Sequence, residues 1–151
     1  MRADKIGTQH DEGSGDEQAE KIFSLPVRVY FQDTDAGGVV YHASYVNFME
    51  RARTEWLRTH GYSNARLMKE FGVVFVVRSL KLDYLKPALL DDLLNVTAQI
   101  KEIGRSRLNL LQSVLRGDEL LTEAEVHLVC VSLEGFKPVS VPEVLRRQLK
   151  V

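Results

Sequence analysis

Apolar and polar positions alternate with a period of two from Leu25 to Phe31 (LPVRVYF), which predicts a short half-buried strand. The alternation stops at QDTDAGG, residues 32–38. That stretch holds two aspartates, a threonine and paired glycines but no large apolar side chain, and it predicts a loop whose backbone can approach a ligand closely. Beyond it the period changes. Tyr45, Val46, Phe48, Met49, Ala52, Trp56 and Leu57 recur at steps of three and four, while Glu50, Arg51, Arg53, Glu55 and Arg58 fill the opposite side. One long amphipathic helix follows, stopped by Gly61. A shorter helix is predicted from Ser63 as N-cap through Phe71, closed by Gly72.

The second half of the chain is dominated by strand patterns. Residues 73–85 are rich in β-branched and aromatic side chains. After KPALLDD, Leu94, Val96, Ala98 and Ile100 alternate with Asn95, Thr97 and Gln99. Gly104 interrupts this pattern, Leu108, Leu110 and Val114 resume it, and Gly117-Asp118 supplies a hairpin turn. Ala124, Val126, Leu128 and Cys130 then alternate with Glu123, Glu125 and His127. A last helical turn is predicted from Pro142. The order predicts an α+β domain in which one long helix covers an antiparallel sheet of about five strands. A single helix shields only one face, so pairing with another copy is an economical protection for the exposed edges, and a homo-oligomer is expected.

Composition narrows the class. The 151 residues suit one domain, expected over residues 23–151, and residues 1–22 lack the apolar side chains needed to offset ordering entropy, which predicts a disordered arm. Twenty Lys and Arg against 21 Asp and Glu leave a net charge of -1, which argues against nucleic acid as a partner. The lone Cys130 and the absence of a secretory or spanning apolar run predict a cytoplasmic protein without membrane insertion. No His, Cys and carboxylate cluster has metal-ligand spacing, so no metal is expected, and the sequence alone assigns no role to His10 and His60. Trp56, Phe48 and Tyr45 read most simply as core, and His127 as an outward strand residue.

The chemistry concentrates between residues 31 and 42. A helix N-terminus offers unpaired N–H groups and the positive dipole end, suited to a developing oxyanion. A carboxylate just before it can act as nucleophile or general base. Asp33 and Asp35 can equally serve as turn or helix caps. Glu50 and Glu55 sit among arginines as solvated helix charges. In GRSRL, Arg105 and Arg107 lie two apart, which on a strand places both on one face where they can reach the same phosphate.

The pattern D-x-D-x-x-G-x-V-x-x-x-x-Y, on Asp33, Asp35, Gly38, Val40 and Tyr45, resembles that of the hotdog-fold 4-hydroxybenzoyl-CoA thioesterase family, together with LDYLKPALLDDLL and IKEIGRSRL. The likeness is greatest to the branch associated with the bacterial Tol-Pal system and spans residues 25–135. It implies a hotdog fold, in which a long central helix is wrapped by the sheet, and hydrolysis of acyl-CoA or acyl carrier protein thioesters without a cofactor. It also implies a dimer or tetramer with sites at the subunit interface. The catalytic carboxylate of the family falls on Asp35, and the amide that polarises the thioester falls near His42. That position is histidine and a catalytic partner in the Tol-Pal branch, and tyrosine in the hydroxybenzoyl branch. Gly38, Val39, Tyr41 and Tyr45, with Arg105, Ser106 and Arg107 on the nucleotide side, are the implied substrate-binding residues. Ala36 and Gly37 stand where the hydroxybenzoyl enzyme has proline and alanine. A second hotdog branch carries its catalytic Glu on the helix, which keeps Glu50 and Glu55 as alternatives. A hydroxyacyl dehydratase and a noncatalytic acyl-carrier docking protein are the competing functions.

Overall fold

The computed structural model describes residues 22–149; the arm expected over residues 1–22 therefore lies outside the described residues except for Ile22. Five strands, β1 (Phe23–Arg28), β2 (Val73–Tyr84), β3 (Leu93–Ile103), β4 (Arg107–Arg116) and β5 (Glu119–Ser132), form one antiparallel sheet in the order β1-β3-β4-β5-β2. Three helices accompany it: α1 (His42–Thr59), α2 (Asn64–Phe71) and α3 (Glu143–Leu149).

The helical spacing in the first half is realised in α1, which buries Tyr45, Phe48, Met49, Ala52, Trp56 and Leu57. Val46, counted in the apolar stripe, is exposed, because it lies one step round the helix from Tyr45 and outside the buried arc. The core opposite comes from one face of the sheet, with Leu94, Val96 and Ala98 of β3, Leu108, Leu110 and Val114 of β4, and Ala124, Val126, Leu128 and Cys130 of β5. Gln112 makes a polar cluster between the layers. Buried Gln112 donates from Nε2 to the carbonyls of Met49 and Thr97, both at 3.1 Å, and its Oε1 accepts from Arg53 Nη1 at 3.0 Å. Desolvation holds the Arg53 guanidinium below its usual pKa.

The caps of α2 follow local chemistry. Ser63 Oγ accepts the Arg66 N–H at 3.0 Å, and Gly72 closes the helix at φ 63°, where a residue with a Cβ is strained. The first strand differs from its sequence pattern, beginning at Phe23 and ending at Arg28. Residues 31–33 curl into a 3-10 turn because Asp33 Oδ2 takes the Tyr30 N–H at 2.8 Å and the Asp33 N–H returns to the Tyr30 carbonyl at 2.9 Å. The tail begun by Pro142 forms α3, anchored by buried Leu145 and Leu149. Strands β1 and β2 are the sheet edges, and β2 leaves Val76, Val77, Leu80 and Tyr84 exposed along an unpaired rim.

Candidate active site

The segment joining β1 to α1 folds back on itself. Thr34 bridges Val40, the Asp35 N–H donates to the Val39 carbonyl at 2.9 Å, and the Gly38 N–H donates to the Asp35 carbonyl at 3.1 Å. Gly38 sits at φ 84°, the left-handed region that glycine enters at least cost, so the turn needs a glycine there. The two aspartates of the motif then part company. Asp33 is the half-buried one: its carboxylate accepts a single N–H through Oδ2 to cap the 3-10 turn, and its backbone carbonyl accepts the Tyr41 N–H at 2.8 Å and the Ser44 hydroxyl at 3.2 Å. Asp35 uses Oδ1 to accept the Gly37 N–H at 2.9 Å, whereas Oδ2 makes no hydrogen bond among the described residues. In the single chain its side chain is exposed to solvent.

Two contacts seat this turn against the rest of the fold. The Val40 N–H donates to the Ala88 carbonyl at 2.9 Å, and Val39 bridges Leu89 in the connection between β2 and β3. Ala88 in turn donates its N–H to the Tyr45 hydroxyl at 3.0 Å in a buried contact. Burial is the main cause that raises the Tyr45 phenol above its ordinary pKa.

Helix α1 starts at His42 behind Tyr41, whose side chain makes no cap hydrogen bond. The first-turn amides of His42 and Ala43 have no acceptor among the described residues, as the geometry of a helix start leads one to expect. Aromatic rings gather around this start. Tyr41 and His42 lie 4.3 Å apart between ring centroids, Tyr84 meets Tyr45 at 5.3 Å and His42 at 6.5 Å, and the Tyr84 hydroxyl donates to the His42 carbonyl at 2.7 Å. Tyr84 and the Ala88–Leu89 backbone are site features that the sequence reading missed. The signal in the chain was Tyr84 following Leu80 and Leu82 at a spacing of two, all on the face that β2 turns toward α1.

Arg105, Ser106 and Arg107 are elsewhere. They follow β3 at the end remote from the Asp35 turn, and the strand geometry assumed for the arginine pair does not apply. Arg105 and Ser106 lie in the turn, and only Arg107 belongs to β4. The reason is local: the Gly104 N–H donates to the Arg107 carbonyl at 2.8 Å and closes a turn across this sequence. The turn is tied down from outside, because the Arg105 carbonyl accepts both the Val141 N–H at 2.9 Å and Arg146 Nη2 at 2.7 Å. Both arginine side chains are exposed.

The remaining candidates are accounted for by contacts within the chain. Glu50 accepts from the Thr54 hydroxyl at 3.2 Å, and Glu55 pairs with Arg58 at 3.2 Å on the exposed side of α1. His127 rests 3.3 Å from Glu125, which also binds Lys101 at 3.0 Å, and His60 lies against Trp56. His10 is outside the described residues. Burial pushes the Cys130 thiol up to about 11, so it stays protonated at neutral pH and supplies no nucleophile. Among the described residues no helix is long and apolar enough to cross a membrane, and no group of three or more His, Cys, Asp or Glu could hold a metal ion.

Comparison with known proteins supplies the remaining observation. The family model described as the thioesterase-like superfamily matches residues 29–149. The chain is 48% identical over 130 residues to the acyl-CoA thioester hydrolase YbgC of Escherichia coli, which covers 85% of this chain and 96% of that protein. It is 47% identical over 121 residues to the acyl-CoA thioesterase YbgC of Haemophilus influenzae, covering 80% and 89% respectively. Among solved structures, a probable thioesterase from Bartonella henselae superposes with a TM-score of 0.77 at 35% identity, covering 80% of this chain and 99% of that one.

Proposed function

Because the chain is an enzyme of the thioesterase-like superfamily with a hotdog fold, we propose that it hydrolyses acyl-CoA thioesters to a free acid and CoA, with Asp35 as the reacting carboxylate. The observation that carries this reading is the place of Asp35: it is exposed, with Oδ2 unbonded among the described residues, on a turn closed by Gly38 that leads directly into the start of α1, whereas Asp33 is half-buried within the 3-10 turn. The His42 and Ala43 amides draw electron density from the thioester carbonyl there. Asp35 then either attacks the carbonyl carbon to form a mixed anhydride, which water cleaves, or takes the proton of a water that attacks directly. In both routes the C–S bond breaks with its electron pair on the CoA sulfur. A thiolate leaves readily, so the reaction does not depend on a strong general acid. His42 lies tilted beside Tyr41 at the helix start, where it can shuttle a proton to or from the reacting water. Tyr41, Tyr45, Gly38 and Val39 shape the wall around the acyl group.

A panel of short, long and aromatic acyl-CoAs, with an acyl carrier protein thioester as a further arm, tests the function by thiol release. Turnover of at least one acyl-CoA well above background is expected. Binding of the carrier without any thiol release would favour a docking protein instead.

The proposed nucleotide contacts require more than one chain. The Asp35 turn and the Arg105 turn sit at opposite ends of β3, whose 11 residues span about 35 Å at strand rise. A pantetheine arm is shorter, at roughly 20 Å from ordinary bond lengths. The substrate therefore lies between copies, its thioester on Asp35 of one and its phosphates on Arg105 and Arg107 of another, with Ser106 beside them. Pairing along the exposed rim of β2 is the natural route to such an assembly, because it satisfies the free backbone groups and covers Val76, Val77 and Leu80. Subunit exchange checks this arrangement. Asp35→Asn and Arg105→Glu chains, each defective alone, should regain about a quarter of wild-type activity at wild-type KM when randomly mixed, since about one site in four then draws both residues from intact copies. No recovery on mixing would place both residues in the same chain.

A further inference from the structure

The turn that carries Asp35 makes its long-range backbone contacts with the connection between β2 and β3, residues 85–92, through the Val40 N–H to the Ala88 carbonyl and the Val39–Leu89 bridge. That connection has no regular secondary structure of its own to stiffen it, and it includes Asp91 at φ 73°, a left-handed conformation that costs a non-glycine residue free energy. Backbone bonds to Leu121 and Val29 hold its two ends, at Leu85–Lys86 and Asp91–Asp92, and side chains hold the stretch between them. Arg116, the last residue of β4, lies across it. Its Nη1 donates to Asp92 Oδ2 at 2.7 Å and to the Pro87 carbonyl at 3.3 Å, while Nε and Nη2 donate to Glu119 Oε1 at 3.3 and 2.9 Å. Glu119 also holds Lys86 at 3.1 Å. Asp92 completes the tie, since the same Oδ2 accepts the Leu89 N–H at 2.8 Å. Arg28 donates to the Asp91 carbonyl at 2.8 Å from the other side. A continuous path of hydrogen bonds thus leads from Arg116 through Asp92 to Leu89, and from the neighbouring Ala88 to Val40 and Tyr45.

We propose that Arg116 and Asp92 are positioning residues for hydrolysis, which fix the β2–β3 connection so that its Ala88–Leu89 backbone holds the Asp35 turn against the start of α1. The inference rests on the reading of Asp35 as the reacting carboxylate. Neither residue touches the reacting atoms. A planar guanidinium suits the task because it bonds Asp92 and Glu119 in fixed directions, which a flexible ammonium does not.

The test compares R116M, R116K and D92N with D35N on one acyl-CoA. In R116M and D92N we expect kcat to fall by about 10- to 100-fold with KM changed less than about threefold, because an error of an ångström in the carboxylate affects the transition state more than substrate binding. R116K should recover part of the loss, and R116M/D92N should be no slower than the worse single variant, since both break one path. Amide hydrogen exchange supplies the reading that general destabilisation does not reproduce. Protection of the Val40 N–H should fall at least about tenfold while that of Leu110 and Val126 in the sheet is unchanged. If D35N is inactive but R116M and D92N keep kcat within about twofold, the positioning role is overturned and the Asp35 reading survives. Should exchange rise uniformly across the sheet, the pair is merely structural. Full turnover by D35N would overturn both.

Discussion

Asp35→Asn is expected to lower kcat by roughly a thousandfold or more while leaving the fold intact. The substitution is chosen from the geometry of the turn. Asn retains an oxygen at the Oδ1 position, so the 2.9 Å bond from the Gly37 N–H survives, and the backbone bonds that close the turn do not involve the side chain. What disappears is the negative charge on Oδ2, and with it both nucleophilicity and basicity. Because Asp35 is exposed in the single chain and makes no ion pair among the described residues, its neutralisation should alter stability by less than about 0.5 kcal/mol. The measurement is thiol release under saturating substrate, alongside a denaturant midpoint. A variant that keeps a tenth of wild-type turnover would remove Asp35 from the chemistry. Asp33→Ala has a different signature, because it removes the acceptor of the Tyr30 N–H that caps the 3-10 turn and so acts on loop structure first.

The largest effect on stability is expected at Phe48. This side chain is 0% exposed, lies at the centre of the buried face of α1, and meets Tyr45 edge-to-face at 6.2 Å between centroids. Phe48→Ala removes most of a ring from a close-packed layer and leaves a cavity that the surrounding sheet cannot fully close, at a cost of about 3–5 kcal/mol. Against a total stability on the order of 5–15 kcal/mol that is a large share. Tm should fall by roughly 10–20 °C at fixed chain concentration. Activity should suffer beyond the loss of folded protein, because Tyr45 loses the ring that steadies it while its hydroxyl still has to receive the Ala88 N–H. A loss below about 1 kcal/mol by chemical denaturation would mean that the space between helix and sheet is not packed as described.

Much of the architecture was legible along the chain, for reasons that can be given element by element. Ser63 and Gly72 bracket α2 because a hydroxyl cap and a left-handed closure are chemistry of adjacent residues. The alternation of Ala124 to Cys130 with Glu123 to His127 survives in β5, where the apolar set faces α1 and Glu125 and His127 pair on the other side. The first strand ends at Arg28, short of the Phe31 that its alternation predicts, because the Asp33 cap turns the chain at Tyr30 and Phe31. The arginine pair does not share a strand face as its spacing predicts, because the turn closed by the Gly104 N–H leaves Arg105 outside β4, although the Ser106 carbonyl still accepts the Cys130 N–H at 2.7 Å.

The site was legible only in part. Spacing within a dozen residues determined which side chains share the turn and the helix start, from Asp33 through Gly38 to Tyr45, because the chain between them is too short to arrange them otherwise. Each aspartate accepts one backbone N–H, from Tyr30 and from Gly37, and what separates them is that the fold half-buries Asp33 and exposes Asp35, which no spacing rule gives. The arrival of Tyr84, Ala88 and the Arg116–Asp92 tie depends on contacts made across tens of residues, set by how the strands register over the buried face of α1. Periodicity determined the elements and the motif, since these follow from local backbone geometry. Tertiary packing alone decided what stands beside Asp35 and what stands a strand's length away, because strand register is a property of the whole sheet.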